Sequence, residues 1–180
     1  PGDDGTIHDC MISNNTIKNV GTINQYGAGN CCGVRATFAT RNNTIRNNLI
    51  MDTYGPSIAL IAGGSNEWSI GNKVLRNKCL RSNNTNQEDT GGIYSLDRGH
   101  NGDPTNPTII DGNFVENIGA GLGTKHIYLD DNSSCFNITN NILCGIALFG
   151  LQLHGSDHVS ISNNIWDISQ APNVTDHFLT

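Results

Sequence analysis

The residues best equipped for chemistry fall in three short tracts. These are Gly92-Ile93-Tyr94-Ser95-Leu96-Asp97-Arg98, Lys125-His126-Ile127-Tyr128-Leu129-Asp130-Asp131 and Leu151-Gln152-Leu153-His154-Gly155. Aligned with two further segments, Val34-Arg35-Ala36-Thr37-Phe38 and Ile58-Ala59-Leu60-Ile61-Ala62, the rows beginning at Val34, Ile58, Ile93, Ile127 and Leu151 all start on an apolar residue. Successive side chains of a strand face opposite ways, so an inward first position sends the second outward. The outward column reads Arg35, Ala59, Tyr94, Tyr128, Gln152. On adjacent strands the two tyrosines would lie about 4.8 Å apart. Further along, Asp97 falls in the column of Asp131, and Asp130 lies beside His154. Only 14% of the chain is charged, yet ionisable residues gather at one end of this column.

Such a corner suits glycoside chemistry. Carboxylates about 5–9.5 Å apart can act as general acid and as nucleophile or base. Two carboxylates sharing a site push one pKa upward, which yields a proton donor near neutral pH. Exposed tyrosines offer flat faces to a sugar ring, and a neighbouring Arg or Lys can anchor an acidic sugar. The expected catalytic groups are therefore Asp97, Asp130 and Asp131, with His154 assisting. Tyr94, Tyr128, Arg98, Lys125, His126 and Gln152 are the expected substrate-binding groups. Plainer readings stand beside these. Asp130-Asp131-Asn132-Ser133 is a good turn former, and the tyrosines can form an aromatic ladder that only stabilises a sheet. His8, His100, His158 and His177 read as surface or turn residues. Asp130 and Asp131 offer hard oxygens to calcium, but no EF-hand spacing supports it. No other cofactor and no dedicated metal site is expected.

Elements must bring these tracts together, and asparagine marks them. There are 26 Asn and 21 Gly in 180 residues. Asn tolerates the left-handed backbone region, so its abundance points to recurring turns. A motif of Asn or Gly, then Asn, then a branched or bulky apolar residue two later, recurs at Asn14-Asn15, Asn42-Asn43, Gly71-Asn72, Gly112-Asn113, Asn140-Asn141 and Asn163-Asn164. A spacing mostly between about 23 and 29 residues fits one rung of a parallel β-helix, three short strands joined by turns. No long apolar stretch at helical spacing exists. The expected fold is all-β, a right-handed parallel β-helix of about six to seven rungs, filling residues 1–180 as one domain. The longest step, from Asn72 to Asn113, predicts an insertion loop over about 83–107.

Composition bounds the function. A net charge of −6 argues against nucleic acid, and no run approaches the roughly 18 apolar residues of a membrane span. The chain begins at Pro1 without Met or a signal peptide, and reads as a mature form or a piece of a longer protein. Six cysteines, Cys10, Cys31, Cys32, Cys79, Cys135 and Cys144, allow 15 fully paired connectivities or simply fill the core. No capping helix precedes Asp9 or follows Ser169, so uncapped ends would allow self-association.

Gly92-Ile93-Tyr94, the Gly112-Asn113-Phe114-Val115 turn and the tract from His126 to Ser134 resemble secreted right-handed parallel β-helix proteins of the pectate-lyase-like superfamily. The resemblance implies this fold, a secreted, extracellular or periplasmic location, and a polysaccharide or oligosaccharide partner. Within the superfamily the tract looks closest to β-helical glycoside hydrolases, where Asp side chains on neighbouring rungs do the chemistry. Asp130-Asp131 followed by His154-Gly155 is similar to the order in polygalacturonases. The Arg-Ile-Lys triplet and Asn-Thr-Asp segment of those enzymes are absent from the sequence. Two other functions stay open: a polysaccharide lyase acting on uronate by β-elimination, and a non-catalytic, tailspike-like glycan-binding module.

Overall fold

A computed structural model of the chain describes residues 7–21, 31–64, 66–83, 89–99, 102–119 and 124–167. His100 and His177 lie outside them. The described residues form twenty short strands and no helix. A minor sheet holds β1 (Ile7–His8), β5 (Thr40–Arg41) and β9 (Ser69–Ile70). The first large sheet stacks β2 (Met11–Ser13), β6 (Thr44–Arg46), β10 (Lys73–Leu75), β13 (Thr108–Asp111), β16 (Phe136–Thr139) and β19 (Val159–Ser162). The second stacks β3 (Thr16–Val20), β7 (Leu49–Thr53), β11 (Lys78–Leu80), β14 (Phe114–Glu116), β17 (Ile142–Cys144) and β20 (Ile165–Asp167). The third stacks β4 (Val34–Thr37), β8 (Ile58–Ala62), β12 (Thr90–Asp97), β15 (Thr124–Asp130) and β18 (Phe149–Leu153). Every pairing is parallel, and the chain visits the sheets in a fixed rotation. This is a parallel β-helix.

Inward columns supply the core. Ile12, Ile45, Val74, Ile110, Ile138 and Ile161 stand in register on the first sheet. Ile17, Ile50, Cys79, Val115, Leu143 and Trp166 do so on the second. Val34, Ile58, Ile93, Ile127 and Leu151 do so on the third, as the apolar first positions require. Each rung leaves its apolar edge for the next to cover, and full burial of one such side chain is worth about 1.5–3 kcal/mol.

Corners are made by left-handed residues. Asn14, Asn47, Arg76, Gly112, Asn140 and Asn163 have φ of 60, 53, 50, 65, 57 and 56°. Each is followed by an inward Asn of a continuous ladder: Asn15, Asn48, Asn77, Asn113, Asn141, Asn164. In each step the backbone N–H and side-chain Nδ2 of one Asn donate to Oδ1 of the next, at 2.9–3.1 Å. From Asn48 onward, Nδ2 also donates to a carbonyl of the rung behind, Ile12, Ile45, Val74, Ile110 or Ile138. The amides can therefore be buried without an unmet donor or acceptor.

The ladder corrects the spacing read from sequence. Asn15 stacks on Asn48, 33 residues on, and not on Asn43. Asn43 belongs to a second corner, where it donates to Asn72. The same Asn-Asn-x-Ile pattern serves two corners of one rung, and Arg76 conceals a third member by occupying a left-handed position itself. The ladder steps are 33, 29, 36, 28 and 23 residues. The stretch expected as one insertion holds the whole of β12, so the extra length is divided between the two ends of that strand. As for the thiols, Cys79 packs fully buried in the core, which pushes its pKa up to about 12. Cys135 and Cys144 form no disulfide.

Candidate active site

The site is assembled on the outer face of the third sheet. Register places Arg35, Ala59, Tyr94, Tyr128 and Gln152 in one column, and Thr37, Ile61, Leu96 and Asp130 in the next outward column. β18 ends one residue short of His154, with Leu153 beside Leu129, so His154 follows on beside Asp130. Turn geometry completes the corner. Asp131 and Asn132 have positive φ, 41 and 65°, and Ser133 N–H donates back to the Asp130 carbonyl at 3.1 Å. The turn-forming reading of this tract is thus met by the same residues that are the candidate catalytic groups.

Asp130 is the centre. Its Oδ1 accepts from Tyr128 Oη at 2.7 Å, His154 Nδ1 at 2.8 Å and the Asp131 N–H at 2.9 Å. Its Oδ2 accepts from Tyr94 Oη at 2.8 Å. Burial pushes this carboxyl up, but the bonds from His154, Tyr128 and Tyr94 outweigh it and hold the pKa below the ordinary value. Asp130 is therefore an anion at neutral pH and not the raised-pKa proton donor expected of one carboxylate in the pair. An ionised carboxylate only accepts, so His154 donates from Nδ1 and titrates at Nε2. The Asp130 hydrogen bond raises the pKa of His154, whose side chain is 59% exposed.

Asp131 sits at the rim. Its carboxylate is 36% exposed, receives Arg98 Nε at 3.0 Å and lies 3.8 Å from His154 Nδ1. One ligand atom each from Asp130, Asp131 and His154 lies within 4.8 Å of the others. These are the groups that could approach a metal ion, although His154 Nδ1 and Asp130 Oδ1 already bond to each other.

The tyrosines depart from expectation. Tyr94 and Tyr128 point away from the core as the alternation requires, yet are 2% and 4% exposed and offer no open platform. Their rings pack at 5.6 Å between centroids, tilted by 55°, with Ala59, Ile61 and Leu96 around them. Burial and the Asp130 charge push both phenol pKa values up, so both remain donors to Asp130. Lys125 Nζ lies 3.9 Å from the Tyr128 ring centroid and 3.8 Å from Asp89, and burial pulls its pKa down. Asp89 was not singled out from sequence; the signal was its place just before β12, beside the strand that begins with Thr124-Lys125.

His126 and Asp97 lie elsewhere. His126 is fully buried, bonded through Nε2 to the Cys144 carbonyl at 2.8 Å, and burial pushes its pKa down to about 4. It is an interior group. Asp97 is buried on the opposite side of β12 from Tyr94 and Leu96, and its Oδ1 accepts the Gly99 N–H at 3.1 Å. The structure brings together Asp130, Asp131, His154, Tyr94, Tyr128 and Arg98, with Lys125 and Gln152 alongside. No protein-family model, curated protein or solved structure matches the chain.

Proposed function

We propose that the chain is a glycoside hydrolase acting on a polysaccharide or oligosaccharide at the outer face of the third sheet. The observation that carries the reading is the hydrogen bond from the exposed His154 to a carboxylate already tied to two tyrosines and a backbone amide. Asp130 stabilises the imidazolium, so His154 keeps a proton on Nε2 to higher pH than an ordinary imidazole and can give it to a leaving glycosidic oxygen. Asp131, accessible and braced by Arg98, is the carboxylate that activates water or meets the developing positive charge. Tyr94 and Tyr128 act through Asp130 as positioning residues. The raised His154 pKa favours this donor role over the proton abstraction that β-elimination would ask of the same imidazole.

The test is a product assay over polygalacturonate, alginate, xylan and β-glucan, reading reducing ends and the ultraviolet absorbance of unsaturated uronate together. Reducing ends without that absorbance, lost in Asp131→Asn and His154→Ala, are expected. Absorbance rising with reducing ends would make the protein a lyase. Binding without products would make it a glycan-binding module.

A further inference from the structure

A second feature lies on the same outer face, toward the other end of the coil. Arg35, Thr37, Phe38, Ile61, Gly63 and Glu67 line an open depression of about 480 Å³. Thr37 and Ile61 stand in the very column that ends in Asp130. Three strand spacings separate Thr37 from Asp130, about 14 Å along the coil axis. Phe38 is 63% exposed and held at φ 67°. A bulky residue pays for that conformation without gaining burial here, and such outliers collect at ligand clamps. Glu67 shapes the floor: its Oε2 accepts the Gly63 and Gly64 N–H groups at 2.6 and 3.0 Å. The depression thus offers an aromatic face, a guanidinium and a hydroxyl, the groups that take a sugar ring and its oxygens.

We infer that the depression at Phe38 and Arg35 is a distal sugar subsite, so that an extended glycan lies across the strands from Phe38 to His154. The inference rests on the hydrolase reading for its substrate class. A ring stacked on Phe38, with Arg35 and Thr37 on its oxygens, would anchor the chain and hold the scissile bond over Asp131 and His154. Short oligosaccharides cannot span both places, and long ones can.

The test is affinity against chain length, by titration calorimetry with galacturonide and xylan oligosaccharides from disaccharide to octasaccharide. The protein carries Asp131→Asn to prevent turnover. Affinity is expected to rise about tenfold once the chain is long enough to reach Phe38. Phe38→Gly and Arg35→Gln should each erase that gain. Glycine adopts positive φ without strain, so Phe38→Gly should hold or raise Tm; a lost gain with Tm intact separates a sugar contact from a structural role. A length gain that survives both variants, or affinity that is flat with length, overturns the subsite alone. No binding of any probe overturns the subsite and the hydrolase reading together.

Discussion

At the residue scale, the chain concentrates its ionisable groups around one carboxylate and surrounds it with donors. The two oxygens of Asp130 are not equivalent. Oδ2 has Tyr94 as its donor, whereas Oδ1 has three. Tyr94→Phe should therefore cost about 1.5–3 kcal/mol in urea unfolding, the worth of a hydrogen bond to a charged group. Tyr128→Phe should cost less, because Oδ1 keeps His154 and the Asp131 amide. Equal losses would contradict the description of the site. Stability should also depend on pH in a defined window. Asp130 has a depressed folded pKa, so its contribution is present above the unfolded value of about 3.9 and is lost as pH falls through the folded one. His154 has a raised folded pKa, so its contribution is full below about 6.5 and is lost as pH rises through the folded value. Tm against pH should carry a component that is greatest between about 4 and 6.5. Asp130→Asn should remove it, and an unchanged profile would contradict the pairing.

At the element scale, the unit that fixes the fold is the corner: a left-handed residue followed by a buried Asn. Asn77 receives two donors from Asn48 and gives its own Nδ2 to Ile45 and Asn113. Asn77→Ala would strand several buried polar groups at once and should cost about 3–5 kcal/mol. Asn15→Ala, at the exposed start of the ladder, should cost about 1 kcal/mol. Chemical unfolding of the two variants checks the difference, and equal costs would mean that the ladder is decoration. Much of this was legible in the sequence, because Asn and Gly in pairs before a branched residue announce a turn wherever they occur. What they do not announce is which of two corners they serve. Three residues separate Asn42-Asn43 from Asn47-Asn48, and only the three-dimensional stacking assigns each pair to its column. The alternation along the third sheet was legible too, since Ile93, Ile127 and Leu151 share one register. The burial of Tyr94 and Tyr128 was not. Outward from the core does not mean open to solvent when apolar neighbours and a lysine stem lie over the same face.

At the scale of the whole molecule, each rung contacts its neighbours alone, so stability should be greatest in the middle and fall toward both ends. Among inward-facing residues, Ile58, Ile110, Ile127 and Ile138 are fully buried, whereas Ile7 and Ile12 at the first described rung are 44 and 37% exposed and Ile161 and Trp166 at the last are only partly buried. Hydrogen exchange should accordingly be slowest in β8, β12, β13 and β15 and fast in β2 and β20; uniform protection along the axis would contradict a stack of nearest-neighbour rungs. The same stacking creates the site. Tyr94, Asp130 and His154 come from three successive rungs, 36 and 24 residues apart, and meet only when the coil is complete between them. The most direct measurement of that convergence needs no substrate: the titration of the His154 ring by NMR, in the native chain and in Asp130→Asn. His154 is expected to titrate above the ordinary histidine value of about 6.5 and to fall back toward it when Asp130 loses its charge. A His154 that titrates at the ordinary value in both proteins would show that the two side chains do not act together, and the proposed proton donor would be lost with them.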